Sequence, residues 1–511
     1  MAKICVPVCV SRMRDLPDAV RLACEVADIV ELRLDCLSQV ELSRAADEIR
    51  AIRKSIDRPM ILTLRTAEQG GRRQITAAER LDFRLQNSPS DVEYWDVELD
   101  LASALKQREQ EGDDVVGMGL VDWARTICSH HDFGGVPADL DSIYEQMTVT
   151  KSRILKIAVQ VDDAIDCLRL FKLLERSLAD GREMIAIGMG DGGIMTRILG
   201  PSRGSFLTYG SLEEESATAP GQITARDLRD LYRIDQIDHD TRIFGIIGHP
   251  VSHSLSPKIQ NAAFAAAKLN AVYIPFEVRD VVQFVRRMVR PKTRELDWSL
   301  GGLSVTAPHK SMVMQALDWI DPASREIGAV NTIVVQDDQL LGYNTDAAGF
   351  IAALRGEFNA TRDAHCAVVG AGGAARACVW ALKQEGALVT VFARDESKAE
   401  FVAESFDVSS RRFPPANFGG FDVVINAMPL GTRGEHEHET IATAEQLRGV
   451  RLAYDLVYNP AETRFLREAK KAGCKSLGGI EMLLAQAVEQ FKLWTNTEPD
   501  LEAMRRAALR R

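Results

Sequence analysis

Lys156 stands in the middle of Ile154-Leu155-Lys156-Ile157-Ala158-Val159, a short, β-branched run of strand length. Burial disfavours an ammonium, and a lysine neutral near pH 7 attacks a carbonyl carbon. Taken alone, such a run more commonly carries an outward-facing lysine on an alternating strand. Carbonyl chemistry also needs a base and a clamp for an anion. The chain offers His131 as the base and Glu31, Arg33, Arg65 and Arg197 as polar partners, although each singly fits a solvated turn or a surface ion pair. The second half adds a Lys/Asp pair, Lys310 and Asp346, and Gly370-Ala371-Gly372-Gly373-Ala374, which suits a dinucleotide pyrophosphate.

The elements that would position the first set are eight short apolar runs: residues 3–10, 29–35, 60–65, 92–99, 126–131, 154–159, 183–189 and 206–210. Amphipathic pieces separate them, at 18–27, 45–54, 77–87 and 162–178 among others. Strand–helix alternation over this length predicts a parallel α/β fold, a closed (β/α)8 barrel whose chemistry lies at the C-terminal strand ends. Glu31, Arg33, Arg65, His131, Lys156 and Arg197 all fall at or just beyond such ends. Together they look like a site for a keto acid.

The chain has 511 residues, 46% hydrophobic and 26% charged, with a formal net charge of -11, an ordinary globular mix of about three folding units. An acidic balance argues against nucleic-acid or anionic-membrane partners, so an anionic substrate must be met by local cations. Nine cysteines without a CxxC pair or regular spacing read as reduced thiols in a cytoplasmic protein. No run reads as a signal peptide or approaches the ~20 apolar residues of a membrane span. Glu435-His-Glu-His-Glu439 does not match metal-ligand spacings and reads as a solvated loop, so no metal is expected.

Beyond a short junction (residues 235–241), a strand at 243–247 opens the second half. Gly248 to Pro257, Gly301 to Lys310, Ala329-Val-Asn-Thr332 and Gly342-Tyr-Asn-Thr-Asp346 put hydroxyls, amides and one Lys/Asp pair at strand ends, which suits a small polyhydroxylated ligand. The strand running into Gly370 is followed by an amphipathic helix to Gly386 and a second strand at 388–393. That βαβ context is what a dinucleotide reading requires. Arg394, first after the second strand, favours the 2′-phosphate of NADP; Asp395 would suit the ribose hydroxyls of NAD.

Glu31-Leu-Arg33-Leu-Asp35, Arg65-Thr-Ala-Glu-Gln-Gly-Gly71, His131-Asp-Phe133, Lys156-Ile-Ala-Val159, Met189 to Arg197 and Ala219-Pro-Gly-Gln222 follow one another along the first half. In this it resembles type I 3-dehydroquinate dehydratases. The resemblance implies a Schiff base at Lys156, acid–base work by His131 and a carboxylate clamp at Arg197. Glu31, Arg33, Arg65, Thr218 and Gln222 would line the pocket. One position departs: where the family places a glutamate before the Gly-Gly pair to support the histidine, this chain has Gln69, with Glu68 just before it.

The second half resembles shikimate dehydrogenases, adding Asn426-Ala-Met-Pro-Leu-Gly431, Asp455-Leu-Val-Tyr-Asn-Pro460 and Gly479-Ile-Glu-Met-Leu-Leu-Ala-Gln486 to the motifs above. By resemblance Ser254, Ser256, Thr306, Asn331, Tyr458 and Gln486 hold substrate, Lys310 and Asp346 form the catalytic pair, and Gly479 joins the nucleotide site. Departures are Ser304 for asparagine, Gln260 for histidine, and Ala393-Arg394-Asp395 for the Asn-Arg-Thr cofactor signature. The expected organisation is a dehydratase barrel over 1–238, a substrate lobe over 241–346 completed by helices at 480–511, and a dinucleotide lobe over 347–479. Dehydration of 3-dehydroquinate to 3-dehydroshikimate and its NADPH-dependent reduction to shikimate would be consecutive steps. The alternatives are a quinate dehydrogenase using NAD, or a quinate- or shikimate-sensing regulator without catalysis.

Overall fold

A computed structural model describes residues 2–86, 92–111 and 121–510. The chain divides into two compact units: Met1–Arg242 with Asn270–Arg279 and Glu295–Ser299, and the remainder. Asn87, the expected end of one helix, and Arg511 lie outside the described residues.

In the first unit all eight apolar runs form strands: β1 (Ile4–Val8), β2 (Ile29–Arg33), β3 (Met60–Thr63), β4 (Tyr94–Glu98), β5 (Thr126–Asp132), β6 (Ile154–Gln160), β7 (Glu183–Met189) and β8 (Thr208–Tyr209). They pair in parallel in the order β7-β6-β5-β4-β3-β2-β1-β8. The barrel is nearly rather than fully closed. Between β7 and β8 the described link is one bridge, Met184 to Ser205, because β8 is only two residues long.

Alternation along each strand sorts the interior into layers. Ile29, Ile61, Ile127, Ile154, Ile185 and Leu207 belong to one apolar cluster. Two or four residues on, the same faces carry Glu31, Arg33, Thr63, Asp96, Glu98, Ser129, His131 and Lys156. An apolar floor thus supports a polar upper storey.

The second half contributes two sheets. The first orders β10 (Ala271–Glu277), β9 (Arg242–Gly248), β11 (Leu300–Val305), β13 (Thr332–Gln336), β14 (Gln339–Tyr343) and β12 (Trp319–Ile320), with β13 antiparallel to both neighbours. The second is wholly parallel, in the order β17 (Ser409–Arg412), β16 (Leu388–Ala393), β15 (His365–Val369), β18 (Val423–Asn426), β19 (Leu452–Asp455) and β20 (Lys475–Leu477). Cys366 and Val368 face one apolar cluster, Ala367 and Val369 another, as expected of a parallel sheet covered on both faces.

The cysteines depart from the expectation of nine free thiols. Cys9, just past β1, and Cys36, just past β2, are joined in a disulfide. Pairing of β1 with β2 brings the two segments together, which a separation of 27 residues did not advertise. The other seven are free. Among the described residues no helix is long and apolar enough to cross a membrane.

Candidate active sites

One cavity in the barrel unit collects every residue singled out there: Glu31, Arg33, Arg65, His131, Lys156, Arg197, Thr218 and Gln222. Lys156, only 4% exposed, enters from β6. Its ammonium is not solitary. Nζ lies 3.0 Å from Asp96 Oδ2, 3.7 Å from Glu31 Oε1, and 2.9 Å from the Tyr209 hydroxyl. Asp96 also takes Arg65 at 2.8 Å and the Ser129 hydroxyl at 2.5 Å, and Arg65 reaches Glu98 at 3.5 Å. Burial alone would raise the Asp96 carboxyl, but Arg65 and Lys156 hold it well below the usual carboxylate range. Burial would weaken the Arg65 charge, and Asp96, Glu98 and Glu31 more than offset it.

His131, at the end of β5, is pushed well below its ordinary value of 6.5 by burial and then by Arg65 and Lys156. It is therefore a neutral imidazole at pH 7, able to accept a proton. Gln69 Oε1 accepts from the His131 backbone N–H at 3.1 Å, whereas Glu68 is exposed. So the amide fills the supporting position, but it holds the main chain and not the ring. Among the described residues Nδ1 of His131 has no partner. Gly70, at φ 82°, lets this loop close against Phe133: an added Cβ would lie 2.2 Å from the ring.

Arg197 differs from the other guanidinium groups. It is 1% exposed, and among the described residues it donates to two backbone carbonyls, Tyr209 at 3.4 Å and Pro220 at 3.3 Å. Burial lowers it to about 10, with no carboxylate acting against that. Arg33, by contrast, is paired with Asp35 through two contacts of 2.9 Å. A buried cation with no counter-ion among the described residues, lining a cavity, is set up for an anionic ligand. Thr218 and Gln222 complete the rim, tied to each other by a 2.8 Å bond from Thr218 N.

A second cavity, of about 180 Å³, lies in the other unit and is lined by Ser254, Ser256, Thr306, Lys310, Asn331, Asp346, Tyr458 and Gln486. Lys310, in the turn after β11, stands 2.5 Å from Asp346 Oδ2 at the start of the helix Asp346–Glu357. Asn331 Nδ2 donates to the other oxygen at 2.8 Å, and its own Oδ1 accepts from Thr345 N at 2.8 Å. The carboxylate is thereby fixed in rotation. Burial raises the Tyr458 phenol despite its bond to Ser254, so it stays a neutral donor. Ser304 donates to Gln490 at 2.8 Å, and Gln490 donates to Thr332 at 3.1 Å. Gln260, fully buried, donates to the Ala487 carbonyl at 3.0 Å and does not line the cavity.

Of the expected nucleotide contacts, Ala374 and Gly479 reach this cavity. Gly370, Ala371, Gly372 and Gly373 form the turn from β15 into the helix Gly373–Gln384. Gly370 has φ 135°, and an added Cβ would meet the Ala427 carbonyl at 2.8 Å, so the turn admits no side chain there. Arg394 and Asp395 are exposed after β16. Asp395 caps the helix Glu396–Phe406, accepting from Lys398 N at 3.4 Å. Open amides at a helix start and glycines that let backbone approach fit a bound dinucleotide. Among the described residues no group of three or more His, Cys, Asp or Glu side chains is placed to hold a metal ion.

Sequence reasoning passed over Asp96, Glu98, Tyr209 and Gln490. Two carboxylates two residues apart inside a barrel strand, Asp96 and Glu98, were the available signal.

The type I 3-dehydroquinase family matches residues 4–239. The substrate-binding domain of shikimate dehydrogenase matches 246–333, an NAD(P)-binding family 358–462, and the shikimate 5′-dehydrogenase C-terminal domain 479–509. A bifunctional 3-dehydroquinate dehydratase/shikimate dehydrogenase of Arabidopsis thaliana, named as chloroplastic, is 33% identical over 96% of this chain and 82% of its own. An NADP+ shikimate dehydrogenase of Methanocaldococcus jannaschii is 38% identical over 53% of this chain and 98% of its own. A crystal structure of a shikimate dehydrogenase in complex with NADP+ superposes with a TM-score of 0.50 at 38% identity, covering 53% of this chain and 96% of that one.

Proposed function

We propose, from the premise that this chain belongs to the bifunctional 3-dehydroquinate dehydratase/shikimate dehydrogenase family, a specific division of labour among its residues. The activities follow from the family: a Schiff-base lyase in the first half and a shikimate dehydrogenase with an NAD(P)-binding domain in the second. The residue roles, the NADP preference and the lobe boundaries at 238, 241, 346 and 479 are our reading.

In the barrel, Lys156 forms the imine with the ketone of 3-dehydroquinate. An iminium withdraws electrons more strongly than a ketone, so the adjacent carbon becomes acidic enough for neutral His131 to deprotonate. The same imidazole then assists departure of the hydroxyl and hydrolysis of the imine. The observation that carries this reading is Arg197, a buried guanidinium without a counter-ion in the cavity of Lys156, which a substrate carboxylate would complete. Borohydride added during turnover of dehydroquinate should add substrate mass to the Lys156 peptide; an unmodified peptide defeats the assignment.

In the second site, Lys310 and Asp346 exchange the proton at the substrate oxygen, with Ser254, Ser256, Thr306, Asn331, Tyr458 and Gln486 orienting carboxylate and hydroxyls. NADP, when bound, supplies or takes the hydride. NADP over NAD is supported by charge placement. Asp395 is occupied as a helix cap, while Arg394 follows β16 directly and Arg412 on the neighbouring β17 pairs in register with Ala393, two basic residues at the strand end where a 2′-phosphate would lie. Rates with NADP against NAD, and shikimate against quinate, test this; faster turnover with NAD and quinate would reverse it. A cytoplasmic location is our reading, with seven of the nine cysteines free beside the Cys9–Cys36 disulfide, testable by fractionation.

A further inference from the structure

We infer that Asp35 is a positioning residue of the dehydratase site: its carboxylate pins both ends of the 65–72 loop, whose Gln69 holds His131 in place for its proton transfers. The inference deepens the Schiff-base reading above and rests on His131 being the base.

Asp35 stands just past β2, its side chain is fully buried, and it does not line the cavity of Lys156. Four donors converge on its two oxygens. Oδ1 accepts from Arg33 Nε at 2.9 Å and from the Arg65 backbone N–H at 3.4 Å. Oδ2 accepts from Arg33 Nη2 at 2.9 Å and from the Arg72 backbone N–H at 3.1 Å. Arg65 and Arg72 are the two ends of the loop that follows β3, so each oxygen holds one end. A mere counter-ion for Arg33 would need neither backbone contact. The same guanidinium also donates to the Gly70 carbonyl near the loop tip, at 3.4 Å.

The tip is one tight turn, Ala67–Gln69, closed by a 2.7 Å bond from Gly71 N to the Thr66 carbonyl. That turn sets the Gln69 amide where it accepts from the His131 N–H at 3.1 Å. The imidazole itself has no partner at Nδ1 among the described residues. Where the ring stands therefore depends on its main chain, and the main chain on the loop. Misplacing a reacting group by about 1 Å costs on the order of 100-fold in rate. An amide at position 35 cannot replace the carboxylate. Asparagine has one acceptor oxygen, and its NH2 would face two donors in either orientation, so one end of the loop is always released.

A double-mutant cycle on the full chain, read in dehydratase kcat and KM well below each thermal midpoint, tests it. Asp35→Asn and Gln69→Leu should each lower kcat by about 10–100-fold. The double variant should fall no further than the slower single, within about threefold, because both act through one contact. Losses that multiply would mean that Asp35 acts elsewhere, and overturn the inference. So would a raised KM at unchanged kcat in Asp35→Asn, which would leave Asp35 serving Arg33 alone. A kcat of Gln69→Leu within about twofold of wild type removes the link to His131 and has the same force. Should Asp35→Asn not fold, amide exchange in the wild type decides. The Arg72 N–H should exchange at least about 10-fold more slowly than an open loop amide, and free exchange overturns the clamp. A wild type that gives no borohydride adduct at Lys156 overturns the Schiff-base reading and the inference with it; an adduct beside multiplying losses overturns the inference alone.

Discussion

The two cavities solve the problem of a reactive lysine in opposite ways. In the barrel, Lys156 sits among a lattice of buried charges, with Asp96, Glu31, Arg65 and Glu98 all 3% exposed or nearly so at the side chain. In the other unit, Lys310 retains 16% side-chain exposure, has one carboxylate partner and is surrounded by hydroxyls and amides. In the roles proposed above, Lys156 is held, used as a nucleophile and released, so its surroundings must tolerate a charge that comes and goes. Lys310, in its proposed role, relays a proton while the cofactor carries the hydride. Covalent chemistry therefore calls for compensating charges around the lysine, and hydride transfer for a fixed hydrogen-bond frame.

The sharpest break of that contrast is removal of each lysine. Lys156→Ala should lower dehydratase turnover by at least about 10⁴-fold, the scale of losing a nucleophile. Shikimate oxidation by the same protein should stay within about twofold. Lys310→Ala should cost the second activity about 10²–10⁴-fold, an acid–base loss, and spare the first. Parallel rate assays on both variants decide it, and a cross-effect above tenfold would mean the sites are not separable.

Arg197 should separate binding from stability. Arg197→Met should raise the dehydratase KM by about 10–100-fold, the worth of a charge-assisted bond. It should leave the thermal midpoint unchanged or higher, because an unpaired buried charge is replaced by a methionine. A fall of several degrees would show that Arg197 holds the fold instead. The carboxylates should differ in the reverse sense. Asp96→Asn leaves Arg65 and Lys156 under-compensated and should cost about 3–5 kcal/mol. That is a fall on the order of 10 °C for a unit of this size. Asp346→Asn should cost about 1 kcal/mol, since Lys310 can turn towards water. Similar falls in the two variants would erase the distinction.

The strands were legible in sequence because each is a short apolar run bounded by helical periodicity, and 183–189 was read to the residue. The glycine turn at 370 was legible for the same local reason. What escaped were contacts made across the barrel. Lys156 meets Asp96 over 60 residues and Tyr209 over 53, distances at which periodicity carries no information. Lys310 and Asp346, 36 apart, were legible as residues at strand ends, but their role as a catalytic pair came only through resemblance. Gln69 shows the limit of resemblance itself. The substituted side chain does contact His131, but through the backbone, which no motif encodes.

The smallest effect expected concerns pH, where the two units should move in opposite directions. His131 is depressed below 6.5 by burial in the folded barrel, so on acidification the unfolded chain takes up a proton that the native state refuses. Stability is lost as pH falls from about 6.5 towards the lowered value. Asp455, at the end of β19, is raised by burial to about 6 despite accepting from Thr463, Val457 N and Asn426. Its native carboxyl binds a proton before the unfolded one does, so stability is gained progressively as pH falls from about 6 to about 4 and is kept below that. Between pH 7 and 5, His131→Gln should flatten the loss in thermal stability of the barrel, and Asp455→Asn the gain in the other unit, each by about 1–2 kcal/mol. The dehydratase rate adds a check independent of unfolding. Its kcat/KM should keep its acid limb well below 6.5, since His131 must be neutral to take the carbon proton. A limb at 6.5 or above would place another group in that role.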